Sequence, residues 1–144
     1  MKKIILACSL LLRLNVWGSD PTIPQEIEKH FQEIYPSAQK VMWSKTEKGY
    51  GVYFENGEVR CRFEYDSNGK VIHSLRYFKA DLLPPLLTQK IFQRWSQRKI
   101  YGVTEVSTPD RLYYVIILED AKYWYTIESD QLGDFTQKNK ENKA

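Results

Sequence analysis

Residues 59–69, VRCRFEYDSNG, predict the fold more directly than any other stretch of the chain. Apolar Val59, Cys61, Phe63 and Tyr65 alternate with charged residues, which is the period-two pattern of a half-buried β-strand. The DSNG at the end is a turn signal, because Asp, Asn and Gly all favour turn conformations. The stretch therefore predicts an antiparallel strand with one face in a core and the other in solvent.

The same period continues on both sides of this strand. A first strand opens near Lys40, a turn follows at Lys48-Gly49, and a second strand is centred on Val52 and Phe54. Asn56-Gly57, a preferred pair for tight hairpins, joins the second strand to the third. A fourth strand is predicted over 70–78, so four strands linked by short turns form an antiparallel meander.

An amphipathic helix is predicted ahead of the meander, over about residues 24–35. Pro24 suits its first turn and Pro36 ends it. Its apolar residues recur at i, i+4, i+7 and i+8, the spacing of one helix face, and they are Ile27, Phe31, Ile34 and Tyr35.

After Pro84-Pro85 the pattern starts again, and this predicts an internal duplication. A second helix is expected over 85–97, followed by strands over 100–107, 111–118 and 122–129 and a frayed segment near Phe135. Matched residues are 60 apart in the helices, 63 apart in the second strands and 64 apart in the third, as in Ile27 with Leu87, Val52 with Val115, Phe54 with Ile117, and Cys61 with Tyr125. We predict an α+β fold of two repeats, 24–79 and 84–137, each a helix plus a four-stranded antiparallel meander, together forming one sheet of about eight strands.

The first eighteen residues are predicted to be a cleaved signal peptide, which leaves a domain over 19–144. Lys2 and Lys3 precede an apolar run over 4–12, much shorter than the roughly twenty residues that a membrane-spanning helix needs. We expect cleavage after Gly18, a periplasmic or secreted location and no stable membrane span. Lipidation at Cys8 is the less favoured alternative, because the apolar segment before it is very short.

No pattern of catalytic or metal-binding residues stands out in the sequence. His30 and His73 lack the spacing of metal ligands, and there is no G-x-S-x-G element. The acidic groups near two turns are interpreted as solvated turn residues, and they are Glu119, Asp120, Glu128 and Asp130. The net charge of +3 is spread among both signs, which argues against a nucleic-acid partner. We therefore predict no enzymatic activity, no cofactor and no metal.

The side of the sheet away from the helices is the candidate binding surface. If Cys61 and Phe63 face the helices, Arg60 and Arg62 face away, and the repeat offsets place Trp124 and Ile116 beside them. Tyr, Trp and Arg are enriched in protein-binding hot spots, although strand aromatics also stabilise cross-strand pairs. The candidate partner-binding residues are Tyr53, Arg60, Arg62, Tyr114 and Trp124.

Five stretches carry a resemblance to a known family, namely Val41-Met42-Trp43, GYGVYF over 49–54, YDSNG over 65–69, Leu83-Pro84-Pro85 and WYTI over 124–127. In this order they resemble exported PepSY-like domains, and more specifically the β-lactamase-inhibitor-like group of small periplasmic proteins. The resemblance implies a continuous curved sheet with helices on one face, and binding or inhibition of another protein or peptide. It supplies no catalytic residues. The alternative is a structural or self-associating protein that forms a homodimer through an edge strand or its aromatic face.

Overall fold

The computed structural model describes residues 21–144, which form two α-helices and eight β-strands. The predicted signal peptide, its cleavage point and Cys8 lie outside the described residues. The elements are α1 (Gln25–Ile34), β1 (Gln39–Lys45), β2 (Gly49–Asn56), β3 (Val59–Asp66), β4 (Val71–Phe78), a short 3₁₀ helix (Ala80–Leu82), α2 (Pro85–Arg94), β5 (Lys99–Ser107), β6 (Leu112–Glu119), β7 (Tyr123–Ser129) and β8 (Phe135–Asn142).

The eight strands form one sheet in sequence order, and every neighbouring pair is antiparallel. The predicted fold class is therefore confirmed, with a helix and four strands followed by a second helix and four strands. An origin by duplication, with repeat bounds at 24–79 and 84–137, stays a prediction. No helix within residues 21–144 is long and apolar enough to cross a membrane.

Both helices pack on the same side of the sheet. Residues directly opposite each other on paired strands point to the same face. One such row runs from Cys61 through Arg76 and Glu105 to Tyr114. Cys61 belongs to the core under α1 and Tyr114 to the core under α2. We call the opposite side, which carries no helix, the open face.

Two apolar cores lie between the helices and the sheet. The core under α1 is rich in aromatic rings, with Phe31 edge-on to Phe54 at 4.9 Å between ring centroids. The core under α2 is mainly aliphatic and includes Leu87 and Ile91 of the helix, both completely buried. Val59 packs against both cores. The two halves are therefore joined by side-chain packing as well as by the β4–β5 pairing.

The turn after the third strand of each unit has the same construction. Asp66 accepts two hydrogen bonds of 2.9 Å from backbone N–H groups of its own turn, and Asp130 does the same. Gly69 and Gly133 have φ angles of 81° and 83°, in the left-handed region that glycine tolerates best. Each glycine lies against the helix of its own unit. The two helices thus pack against their turns in the same way.

The placement of Tyr114 and Ile116 on the open face is wrong. Both side chains point toward the helices and are buried, with 5% and 0% of their surface exposed. Val115 and Ile117, predicted to point inward, are instead half-buried on the open face. Strand β6 is therefore turned over relative to the prediction.

The register of the strand pairs explains this correction. Val52 lies opposite Phe63, and Ile116 lies opposite Ile127. Val52 is therefore equivalent to Ile116, as Phe63 is to Ile127, and the offset is 64 residues in both strands. The predicted offset of 63 for the second strand is one residue short, and a slip of one residue moves every side chain to the other face. Residues 112–118, LYYVIIL, are apolar throughout and have no alternation that could have shown the error.

Two element ends also differ from the prediction. Helix α2 ends at Arg94 rather than near residue 97. The Trp95 N–H donates to the Ile91 carbonyl and closes the last turn. Strand β8 extends to Asn142, although its outer residues are polar and exposed. An edge strand with polar side chains on both faces gives no hydrophobic signal, so its length was not visible in the sequence.

Candidate binding face

The open face contains four of the five candidate residues. Tyr53, Arg60 and Arg62 lie on β2 and β3, and Trp124 lies on β7. Tyr114 is absent from this face because β6 presents its other side there. The structure therefore brings Tyr53, Arg60 and Arg62 together and places Trp124 four strands away from β3.

Tyr114 has a role on the helix side instead. It lies opposite Glu105, which pairs with Arg76 at 3.0 Å on the row between the two cores. Burial, followed by the nearby Glu105 carboxylate, raises the pKa of the Tyr114 hydroxyl. Tyr114 thus closes the edge of the second core, and it is inaccessible to a partner on the open face.

The two arginines of β3 are exposed at the middle of the first half of the open face. Arg60 lies between Glu55 and Tyr77, and Arg62 lies between Tyr53 and Leu75. Neither guanidinium forms an ion pair or a side-chain hydrogen bond with any residue of 21–144. Their donors are therefore free for another molecule.

Glu55 lies opposite Arg60 but forms its ion pair from the other side, with Lys40. Lys40 Nζ lies 2.9 Å from Glu55 Oε2, and the Tyr53 hydroxyl donates to Glu55 Oε1 over 3.1 Å. The hydrogen bond from Lys40 is the main reason that the pKa of the Glu55 carboxyl is lowered. Partial burial, with the bond to Glu55, raises the pKa of the Tyr53 hydroxyl. Tyr53 is thus held in place with its ring on the open face.

Trp124 is part of an aromatic pair in the second half of the open face. Its ring meets Tyr101 edge-on, with centroids 4.7 Å apart, and Tyr101 is 64% exposed. Lys143 Nζ lies 4.4 Å from the Trp124 ring centroid, within cation–π range. Sequence reasoning missed Tyr101 because an irregularity in β5 between Ile100 and Gly102 shifts the parity there. Strand alternation alone does not reveal such a bulge.

Two depressions mark the open face, and each has a glycine at its base. One, of about 360 Å³, lies over Gly51 and is flanked by Arg62, Glu64 and His73. A Cβ at residue 51 would come within 2.8 Å of the Ser44 hydroxyl oxygen, so any larger side chain would occupy this space.

The second depression, of about 550 Å³, lies over Gly102. Arg60, Lys79, Tyr77 and Tyr101 are among its walls. It therefore lies between Arg60 of the first half and Tyr101 of the second. Together the two depressions form concave sites that could accept side chains of a partner.

The four acidic residues near the turns of the second half are all engaged within the chain. Glu119 pairs with Lys143, and Glu128 pairs with Arg111 at 2.7 Å. The Tyr125 hydroxyl donates to Asp120 over 2.7 Å, and Asp130 holds the turn described above. These contacts give each carboxylate a structural role. Within residues 21–144, no three His, Cys, Asp or Glu side chains are grouped as metal ligands would be.

Comparison with known proteins gives no match to a family model and none to a curated protein sequence. Solved structures do match. A BLIP-like protein from Bacteroides fragilis superposes with a TM-score of 0.62 at 13% identity, covering 85% of this chain and 87% of that chain. The fold is BLIP-like, that is, similar to the fold of β-lactamase inhibitor protein.

Two further structures share the BLIP-like fold of this chain. A DUF2874 family protein from Bacteroides ovatus has a TM-score of 0.61 at 20% identity, covering 85% of this chain and 89% of that one. A proposed periplasmic protein from Bacteroides eggerthii has a TM-score of 0.61 at 16% identity, covering 85% and 90%. These likenesses confirm the β-lactamase-inhibitor-like part of the resemblance at the level of the fold, and the PepSY-like part stays a prediction.

Proposed function

We propose that this protein is an exported, non-enzymatic binding module whose open face engages another protein or a peptide. The observation that carries the proposal is the presence of arginines without ion pairs within residues 21–144 and of the Tyr101–Trp124 aromatic pair on the one side of the sheet that has no helix. Arg, Tyr and Trp supply much of the energy of protein interfaces, because they bury a large area and keep a hydrogen-bonding group. Inhibition of an exported enzyme is one function that such a face could serve.

Export to the periplasm or the medium is part of this proposal. It rests on the signal-like sequence of residues 1–18. Mass spectrometry of the protein recovered after expression in a Gram-negative host should find an N-terminus at Ser19. A chain that keeps residue 1, or one that carries lipid at Cys8, would contradict cleavage at this point.

A matched pair of variants tests the binding face. Trp124→Ala with Arg62→Ala removes one aromatic and one cation from the open face. Phe92→Ala with Arg94→Ala likewise removes one aromatic and one cation, but from α2, where Phe92 is 53% exposed. The wild type should capture a partner from periplasmic extract, the α2 variant should retain it, and the open-face variant should lose it. Equal capture by both variants would exclude the open face.

A homodimer is the second candidate, and the composition of β1 favours it. This strand lies at one edge of the sheet and exposes 40% of Val41 and 60% of Met42. Strand β8, at the other edge, has no exposed large apolar side chain, and its Lys138, Lys140 and Glu141 discourage strand pairing. Light scattering after size-exclusion chromatography should then give a dimer that Met42→Lys dissociates. A monomer at all concentrations would leave β1 without this role.

A further inference from the structure

Strand β3 and the turn before it present four charged side chains in an ordered series on the open face. Glu58, Arg60, Arg62 and Glu64 are two residues apart in sequence, so they share a face with a spacing of about 7 Å. Glu58 and Arg60 flank the depression over Gly102, and Arg62 and Glu64 flank the depression over Gly51. The series therefore connects the two concave sites.

None of these four side chains forms an ion pair within residues 21–144. The ion pairs of the described chain involve other residues, including Lys40 with Glu55, Arg76 with Glu105 and Arg111 with Glu128. Arg62 has uncharged Tyr53 and Leu75 as its cross-strand neighbours. The four charged groups of the series are thus left without an ion pair among the described residues.

Glu64 is also without an ion pair, although His73 lies directly opposite it. Glu58 precedes β3 and is exposed in the turn that follows Gly57. Because each carboxylate sits two residues beyond an arginine, the series has no net charge. A partner would be selected by the order of its charges rather than by their sum.

We infer that the open face recognises an extended protein segment that presents two carboxylates, two residues apart, to Arg60 and Arg62, with a basic group on each side of them that faces Glu58 or Glu64. The segment would show the order basic, acidic, acidic, basic at every second residue. Guanidinium groups bind carboxylates through two parallel hydrogen bonds, which makes the central pair the main source of selectivity. This inference rests on the proposed function, since it names the chemistry of the partner for the same face.

The series is the same in either direction along β3, and this has a consequence for the partner. Glu-Arg-Arg-Glu complements a segment that runs parallel or antiparallel to the strand. Orientation would then be set by other contacts, such as the aromatic pair of Tyr101 and Trp124 on one side of the series.

Two synthetic peptides of identical composition test the inference. KTDTDTK has the expected order of charges, and DTKTKTD has each acidic residue exchanged for a basic one and each basic residue for an acidic one, with the same net charge. Both are capped at their ends and titrated to millimolar concentration into ¹⁵N-labelled protein, while backbone amide shifts of β3 are followed by NMR. We expect KTDTDTK to bind about fivefold or more tightly than DTKTKTD, and the difference to shrink in about 0.5 M NaCl.

A charge-swapped protein supplies the control. The variant E58R/R60E/R62E/E64R keeps the composition of the chain and changes only side chains of the open face, and circular dichroism verifies its fold. It should prefer DTKTKTD by a similar factor. Equal affinities, the opposite preference, or no binding of either peptide would overturn the inference. If the affinities are equal or the preference is opposite, and the amide shifts occur on the open face, the proposed binding function still holds. With no peptide binding, that function is decided by the capture experiment on Trp124→Ala with Arg62→Ala.

Discussion

Ile27 of α1 lies directly against Gly69, so closely that a Cβ at residue 69 would come within 3.0 Å of Ile27 Cγ1. The turn after β3 therefore forms part of the surface on which α1 packs. Gly133 makes the equivalent approach under α2, where a Cβ would come within 2.6 Å of Lys90 Cδ and 3.3 Å of Leu87 Cδ2. Helix position in both units is thus set by a glycine whose missing side chain leaves room for an apolar helix residue.

Gly69→Ala should destabilise the protein more than Gly57→Ala. Both glycines have positive φ, at 81° and 60°, so both variants incur a backbone penalty of about 1–2 kcal/mol. Only Gly69 meets a neighbour, because a Cβ at Gly57 would have nothing within 4 Å. We expect Gly69→Ala to lower the free energy of unfolding by about 1 kcal/mol more, measured by urea denaturation. Equal effects would show that the helix contact is unimportant.

The contact between Tyr125 and Asp120 should make stability sensitive to acid. The Tyr125 hydroxyl, followed by the backbone N–H groups of Lys122 and Tyr123, lowers the pKa of the Asp120 carboxyl to about 2. A carboxyl whose pKa is lowered by folding contributes stability above its unfolded pKa, near 4. That contribution should be lost as the pH falls from about 4 through about 2.

Tyr125→Phe should remove most of this pH dependence. NMR titration of the Asp120 carboxyl should find its pKa raised toward the ordinary value of 3.8. Tyr123→Phe is the matched control, because the Asp120 contact at that residue comes from the backbone N–H. If both variants shift the Asp120 pKa equally, the hydroxyl of Tyr125 is not its cause.

The two halves should unfold in a single transition, because Val59 packs against both cores and the sheet is continuous. Trp43 reports on the core under α1 and Trp95 on the core under α2. In each variant that keeps only one of these two tryptophans, with Phe in place of Trp17 and Trp124, the fluorescence midpoint in urea should coincide with the midpoint from circular dichroism. Val59→Ala should shift both midpoints together, with a loss of about 1 kcal/mol. Separate midpoints would mean that each half is an independent folding unit.

Cys61 should be unreactive in the folded protein. Its side chain is 2% exposed, and burial raises the pKa of its thiol. Since the thiolate is the reactive form, a thiol reagent at neutral pH should label Cys61 only after unfolding. The measurement uses a Cys8→Ser variant, so that no other cysteine contributes, with the same protein in urea as the reference. Rapid labelling of the native protein would contradict the buried position.

Sequence reasoning was most successful where the hydrophobic period was clear. The alternation in β3 gives the correct inward and outward sides, and the first helix is correct to within one residue of each end. It failed in β6, where both sides are apolar and only strand pairing determines which of them faces the helices. This is why the repeat offset alone puts Tyr114 on the open face, although it is buried on the helix side.

The composition of the open face could be predicted only in part for a related reason. Arg60, Arg62, Tyr53 and Trp124 follow from parity, but Tyr101 depends on the irregularity in β5. The absence of ion pairs around Arg60 also depends on the three-dimensional contacts of Glu55 with Lys40 and Tyr53. Local sequence cannot show which of two nearby cations a carboxylate will choose.

The separation of the two sides of the sheet makes this chain suitable for combinatorial engineering. Along β3, buried Cys61 and Phe63 alternate with exposed Arg60 and Arg62, so the residues that hold the fold are distinct from those that meet solvent. Codons for open-face positions could be diversified in a display library while those for the two cores stay constant. Because β2 and β3 are joined by a two-residue turn, such a library would hold its variable positions on paired strands rather than on loops.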